Sequence, residues 1–155
     1  MNKVKTEVRE LQTTYYENGE KYSEKVFKGN EKVGVWNYWD IDGYKQFEIN
    51  YKNDKKNGLR TRWLSGVKYR EETFKDGKLD GLSTEWYEDG NVWSVENYKN
   101  GKLDGTRFVR QADKGLWVQN FKNGKADGVG ITWNNFKGIT STVIYKNDFL
   151  VKEIV

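Results

Sequence analysis

The sequence predicts an all-β protein, an elongated, twisted antiparallel meander of about six tandem β-hairpin repeats of 23–24 residues. Three observations predict it. An aromatic residue followed by lysine recurs at Phe27, Tyr51, Phe74, Tyr98, Phe121 and Tyr145, in steps of 24, 23, 24, 23 and 24 residues. A fixed period of that length marks a repeat array. Turn dipeptides such as Asp89–Gly90 and Asn100–Gly101 supply the positive φ angles that two-residue hairpin turns require. Between these turns stand strand-forming residues, Trp86, Tyr87, Val92, Trp93, Val95 and Tyr98. Proline is absent, so no strand is interrupted by one.

The elements follow in order. Residues 1–10 form a polar lead-in. Residues 11–148 hold the six-copy array, and residues 149–155 read as a closing strand. The first copy, LQTTYYENGEKYSEKVFKGN at 11–30, begins with a stretch that aligns with LSTEWYEDG at 82–90. Glu10 stands where later copies have glycine; terminal copies are often atypical because one side meets solvent. The second copy, 34–57, puts Asp54 in place of the turn glycine, and aspartate tolerates that backbone region better than most residues. The third copy, 58–80, is one residue shorter at its first turn. The fourth spans 81–104, and the fifth, 105–127, has Arg110 where other copies carry tryptophan. The sixth spans 128–148.

Residues two apart on a strand share a sheet face. Counting from each opening glycine, Val35/Asn37/Trp39, Leu59/Thr61/Trp63, Leu82/Thr84/Trp86, Thr106/Phe108/Arg110 and Val129/Ile131/Trp133 lie on one face. That face is largely apolar or β-branched and is expected to be buried, with Trp39, Trp63, Trp86 and Trp133 as the repeat-core aromatics. Stacked aromatics can also bind sugars or quaternary ammonium groups. The intervening positions, Arg60/Arg62, Ser83/Glu85 and Arg107/Val109, are mainly polar and are expected to face water. No segment reads as a covering helix, so the sheet is expected to curl into a trough with the tryptophan row inside. Trp36 and Tyr38 break the face rule. They mark either a partner-binding patch or a surface covered by the lead-in.

Composition removes several chemistries. The chain has no cysteine and no histidine, hence no disulfide, and the usual zinc sites, serine–histidine triads and histidine acid–base pairs are absent. No phosphate-loop or dinucleotide fingerprint occurs. The protein is therefore expected to be non-enzymatic, with no metal and no cofactor. Asp80, Asp104 and Asp127, each before a glycine, are expected to form turns by bonding their own backbone rather than to bind calcium. Glu48, Glu71, Glu72 and Glu96 recur in the second strand of their copies. They are expected to face lysines across the sheet rather than to form a glycosidase-like pair. Net charge is +4, from 27 basic and 23 acidic residues spread along the chain. That pattern suits a solvated lysine-rich surface, and no nucleic-acid partner is expected. The N-terminus is charged, and no apolar run approaches a membrane span. As the sequence stands the expected location is cytoplasmic; a signal peptide preceding residue 1 would make it exported.

The YEDG turn with Glu96 downstream, followed by NYKNGKLDG, returns as TFKDGKLDG at 73–81 and NFKNGKADG at 120–128. This unit resembles the bacterial variant form of the MORN repeat (membrane occupation and recognition nexus), over residues 11–148. Bacterial proteins similar to this include YwqK-type antitoxins. The resemblance implies a scaffold that binds a protein partner such as a toxin, in an antitoxin or immunity role. Other members of the wider family are scaffolds or lipid-associated modules. The alternative is therefore an envelope- or membrane-associated module that binds glycan, choline or lipid headgroups.

Overall fold

The computed structural model of the protein describes residues 8–111 and 115–154. The first eight strands are β1 (Glu10–Tyr15), β2 (Lys21–Lys28), β3 (Glu31–Trp39), β4 (Lys45–Lys52), β5 (Lys55–Leu64), β6 (Val67–Lys75), β7 (Lys78–Trp86) and β8 (Val92–Lys99). The remainder are β9 (Lys102–Leu103), β10 (Gly105–Gln111), β11 (Gly115–Lys122), β12 (Lys125–Asn134), β13 (Gly138–Lys146) and β14 (Phe149–Ile154). All belong to one antiparallel sheet in which chain order is spatial order, with the short β9 also pairing β8. The described residues contain no helix. The expected all-β meander of hairpin repeats is the observed fold.

Two turn types recur along the chain. Asp76–Gly77, Asn100–Gly101 and Asn123–Gly124 have positive φ at both residues, as a two-residue hairpin loop of type I′ demands. Asn53–Asp54 does the same without glycine, at φ 50° and 61°. Asp89–Gly90 corrects the expectation of a two-residue turn. Tyr87 N–H donates to Asn91 O, and Gly90 N–H donates to Tyr87 O, so the loop holds three residues. Only Gly90 there has positive φ, the arrangement of a type I turn followed by a bulge.

A wide irregularity repeats once per copy. Ile49 pairs with Arg60 and Tyr51 with Lys56, so Asn50 faces three residues, 57–59. Thr73 and Asn120 sit in the same setting. The glycine of each triplet is forced: at Gly81, φ is +122° and an added Cβ would stand 3.0 Å from Thr73 Cβ. Bulges bend a strand and increase its twist, so each copy turns the sheet by the same device.

The aspartates before these glycines staple one copy to the next. Asp80 accepts from Asn100 N–H at 3.0 Å and Asp104 from Asn123 N–H at 3.1 Å. Asp127 pairs with Lys146, which holds its carboxyl below the ordinary range. Their partners are a copy away rather than in their own turn, because the two-residue turns stack directly: Gly101 N–H donates to Leu79 O and Gly124 N–H to Leu103 O. The stacked turns form one long edge, which gathers exposed lysines including Lys52, Lys75, Lys78, Lys99, Lys102 and Lys122.

The expected face assignment is inverted. Directly paired residues share a face, and Trp36–Ile49–Arg60–Glu72–Ser83–Glu96 form one such row. Ser23, Trp36, Glu72, Phe74, Ser83, Ser94 and Gln119, all at 8% exposure or less, lie on this face, hereafter the inner face. Thr61, at 6%, is the exception on the other side. Leu59 and Leu82 of the supposed core are 45% and 51% exposed. The inner core is the column of aromatics that marks the period. Tyr51, Phe74, Tyr98, Phe121 and Tyr145 each pair with a glycine, Gly34, Gly58, Gly81, Gly105 and Gly128. The missing side chain leaves room for the ring. A sheet with no second layer excludes water where curvature crowds side chains, and here small serines and carboxylate-paired arginines fill that side.

Candidate functional site

The inner face changes character along the array. At the β2–β4 end it is aromatic. Trp36 packs between Phe27 and Tyr51, with ring centroids 4.9 and 4.8 Å away, and its Nε1–H donates to Val26 O at 3.0 Å. Lys25 and Lys32 lie over its ring. These neighbours leave Trp36 5% exposed. Tyr38 stands nearer water, edge-on to Tyr22 at 6.1 Å and Phe47 at 6.4 Å. Burial raises the pKa of its hydroxyl. Tyr22 and Phe47 are exposed, at 42% and 37%. The candidate pair therefore separates in role. Trp36 is a core residue beneath the patch, and Tyr38 belongs to the accessible aromatic group. The proposed cover for the pair, the lead-in, lies mostly outside the described residues.

The next strands turn the row basic. Phe47 pairs directly with Arg62, and Arg62 with Arg70. Arg60, Arg62 and Arg70 surround Glu72, whose side chain is 3% exposed. Arg60 Nε–H donates to Glu72 Oε2 at 2.7 Å. Arg70 also reaches Glu85 at 2.6 Å. Lys56 is close enough to this group that burial, followed by the Arg60 charge, holds its pKa below the ordinary lysine range. Further along, Arg107 pairs with Glu96 at 2.7 Å, and Tyr98 donates its hydroxyl proton to Glu96, also at 2.7 Å. Burial and that carboxylate push the Tyr98 hydroxyl up to about 12.

The tryptophan row lies on the outer face, next to a register shift in each hairpin. Trp39, Trp63 and Trp86 are half-buried, and Trp133 is 42% exposed. A lysine from the preceding copy covers each of the first three: Lys21 over Trp39 at 5.1 Å, Lys45 over Trp63 at 5.2 Å and Lys68 over Trp86 at 4.3 Å. The same lysines pair with Glu24, Glu48 and Glu71. A ring face already holding an ammonium is a poor receptor for choline. The ladder stops at the fifth copy. Arg110 replaces tryptophan there, Val92 stands in the lysine's place, and Arg110 Nε–H donates to Val92 O at 3.3 Å.

The acidic residues considered for chemistry are thus cation-paired: Glu48 and Glu71 by lysines on their own strand, Glu72 and Glu96 by arginines across the sheet. Among the described residues no group of three histidine, cysteine, aspartate or glutamate side chains could hold a metal ion. A depression of about 540 Å³ lies at a turn edge between Tyr87, Asp89 and Arg110. The Asp89 carboxyl there accepts from the Asn91 backbone and side chain, which lowers its pKa. It offers less recognition chemistry than the inner row. Sequence counting missed the arginine cluster because it scored Arg60 and Arg62 as a wet surface. The signal lay in the pairing of Arg60 with Glu72 across one hairpin. The chain matches no protein-family model and no curated protein.

Proposed function

We propose that this protein is a MORN-type, non-enzymatic repeat scaffold that binds a protein partner on its inner face, in an antitoxin or immunity role. The observation that carries this reading is the row Tyr38–Phe47–Arg62–Arg70, which runs from half-buried Tyr38 and exposed Phe47 into partly exposed guanidinium groups on four adjacent strands. Tyrosine and arginine dominate binding hot spots, because each presents a large contact area with a polar end. Strands spaced ~4.8 Å apart make this a continuous strip of ~14 Å, held on a rigid sheet rather than on loops. Partner binding by steric masking needs no catalytic group.

The test is affinity capture with the full chain from its source cells, read by quantitative mass spectrometry. Tyr38→Ser with Phe47→Ser should remove a specific protein that the wild type retains. Leu59→Ser with Leu82→Ser, on the outer face, should keep it. Retention by the inner-face variant, or loss only with the outer-face variant, contradicts the reading. Trp36 is left intact because its burial would confuse folding with binding.

A further inference from the structure

The arginine cluster is over-supplied with positive charge for the carboxylates it holds. Arg60, Arg62 and Arg70 surround Glu72, and Arg70 also holds Glu85, three guanidinium groups to two carboxylates. Two carboxylates offer about eight acceptor positions, whereas three guanidinium groups offer about fifteen N–H donors. The shortage shows in the geometry. Arg62 Nε stands 3.6 Å from Glu72, Arg70 Nε stands 3.4 Å from it, and both atoms are buried with no hydrogen-bond partner. Arg62 makes no closer ion pair, and its side chain remains 27% exposed. Buried donors without acceptors are unfavourable, and those on charged groups more so.

We infer that the partner delivers an acidic peptide segment to this cluster, its carboxylates binding the Arg62 and Arg70 guanidinium groups while an adjoining aromatic or aliphatic side chain rests on Phe47 and Tyr38. The inference rests on the inner-face reading above and names the chemistry of its partner. Guanidinium forks match planar carboxylates, and this cluster already takes two of them, Glu72 and Glu85, from within the chain. An inorganic anion would use the arginines and leave the aromatic half of the row idle. Phe47, paired directly with Arg62, makes an acidic segment with an apolar neighbour the better fit.

The experiment uses the full chain and a fluorescein-labelled peptide of one phenylalanine followed by four glutamates, with a glutamine counterpart, read by fluorescence anisotropy. The wild type should bind the glutamate peptide at least tenfold more tightly than the glutamine one. Arg62→Gln and Arg70→Gln should each weaken it five- to tenfold, and Arg62→Lys, which keeps charge but loses the fork, should fall between. The triple change Lys75→Gln, Lys78→Gln and Lys99→Gln, on the turn edge, should alter it less than twofold. Glu72→Gln, which removes the internal competitor, should lower the melting temperature of the free protein. It should also increase the rise in melting temperature that the peptide produces. Melting curves exclude any variant that has not folded, and Arg62, lacking a close ion pair, should melt within a few degrees of wild type. No preference for glutamate, a loss in the lysine variant equal to that in the arginine variants, or full competition by phosphate at equal ionic strength would overturn the inference. If the peptide result is negative while Tyr38→Ser with Phe47→Ser still abolishes capture of the natural partner, the acidic segment alone is wrong. If that variant retains the partner, the inner-face reading falls with it.

Discussion

Trp36 owes its burial to its neighbours within one layer. Phe27 and Tyr51 flank the ring, two lysines lie over it, and a backbone carbonyl takes its N–H. Trp36→Ala should therefore cost ~3–5 kcal/mol, the range for deleting a large buried aromatic. Trp133, 42% exposed on the outer face, should cost about 1 kcal/mol or less when changed to alanine. Urea titrations of the two variants compare them, and equal losses would contradict the face assignment. Tyr98 carries a pH signature. Its hydroxyl is raised from 10.0 to about 12 in the folded chain, so above pH 10 the unfolded chain releases this proton first. Stability from this group is complete below pH 10 and declines as pH rises towards 12. Between those values the wild type should lose melting temperature more steeply than Tyr98→Phe. Parallel curves would mean that folding does not raise the Tyr98 hydroxyl.

At the scale of the element, each hairpin depends on a glycine whose freedom is used for two purposes. Gly81 has φ +122°, and an added Cβ would press on Thr73. Gly81→Ala should cost ~1–3 kcal/mol through backbone strain, beyond which the contact adds its share. Gly90 has φ +82° and open space around its Cβ position, so alanine there should cost only ~1–2 kcal/mol, for the left-handed backbone alone. Thermal melts of both variants should place Gly81→Ala lower; the reverse order would argue against the wide bulge. The hairpins themselves were legible from the sequence because turn dipeptides and the aromatic–lysine period are local signals. The inner face was not. Period-two counting places Arg60, Arg62 and Ser83 together but cannot say which side the sheet curls around. That depends on bulges at Asn50, Thr73 and Asn120, where two extra residues enter the opposite strand. The turn aspartates were misread for a similar reason. Asp80 and Asp104 look like local turn formers until stacking brings the next turn's N–H to their carboxylates.

At the scale of the molecule, the short β9 apart, each described strand pairs with the next along the chain, so stability is built from adjacent contacts, as in other one-dimensional arrays. The two faces divide the work. The outer face carries the lysine–glutamate–tryptophan ladder, which links successive copies. The inner face holds the ring column and the aromatic-to-arginine strip proposed as the binding surface. The faces are thus inverted: the apolar-looking face lies outward and the arginine-bearing face lies inward. Because the chain has no cysteine, single thiols report it without interference. Ser83→Cys and Ser94→Cys replace side chains that are 2% and 4% exposed, whereas Leu82→Cys and Leu59→Cys replace side chains that are 51% and 45% exposed. Under native conditions the two serine-site thiols should react with a maleimide at least tenfold more slowly than the two leucine-site thiols. Equal rates, or faster labelling at 83 and 94, would contradict the account.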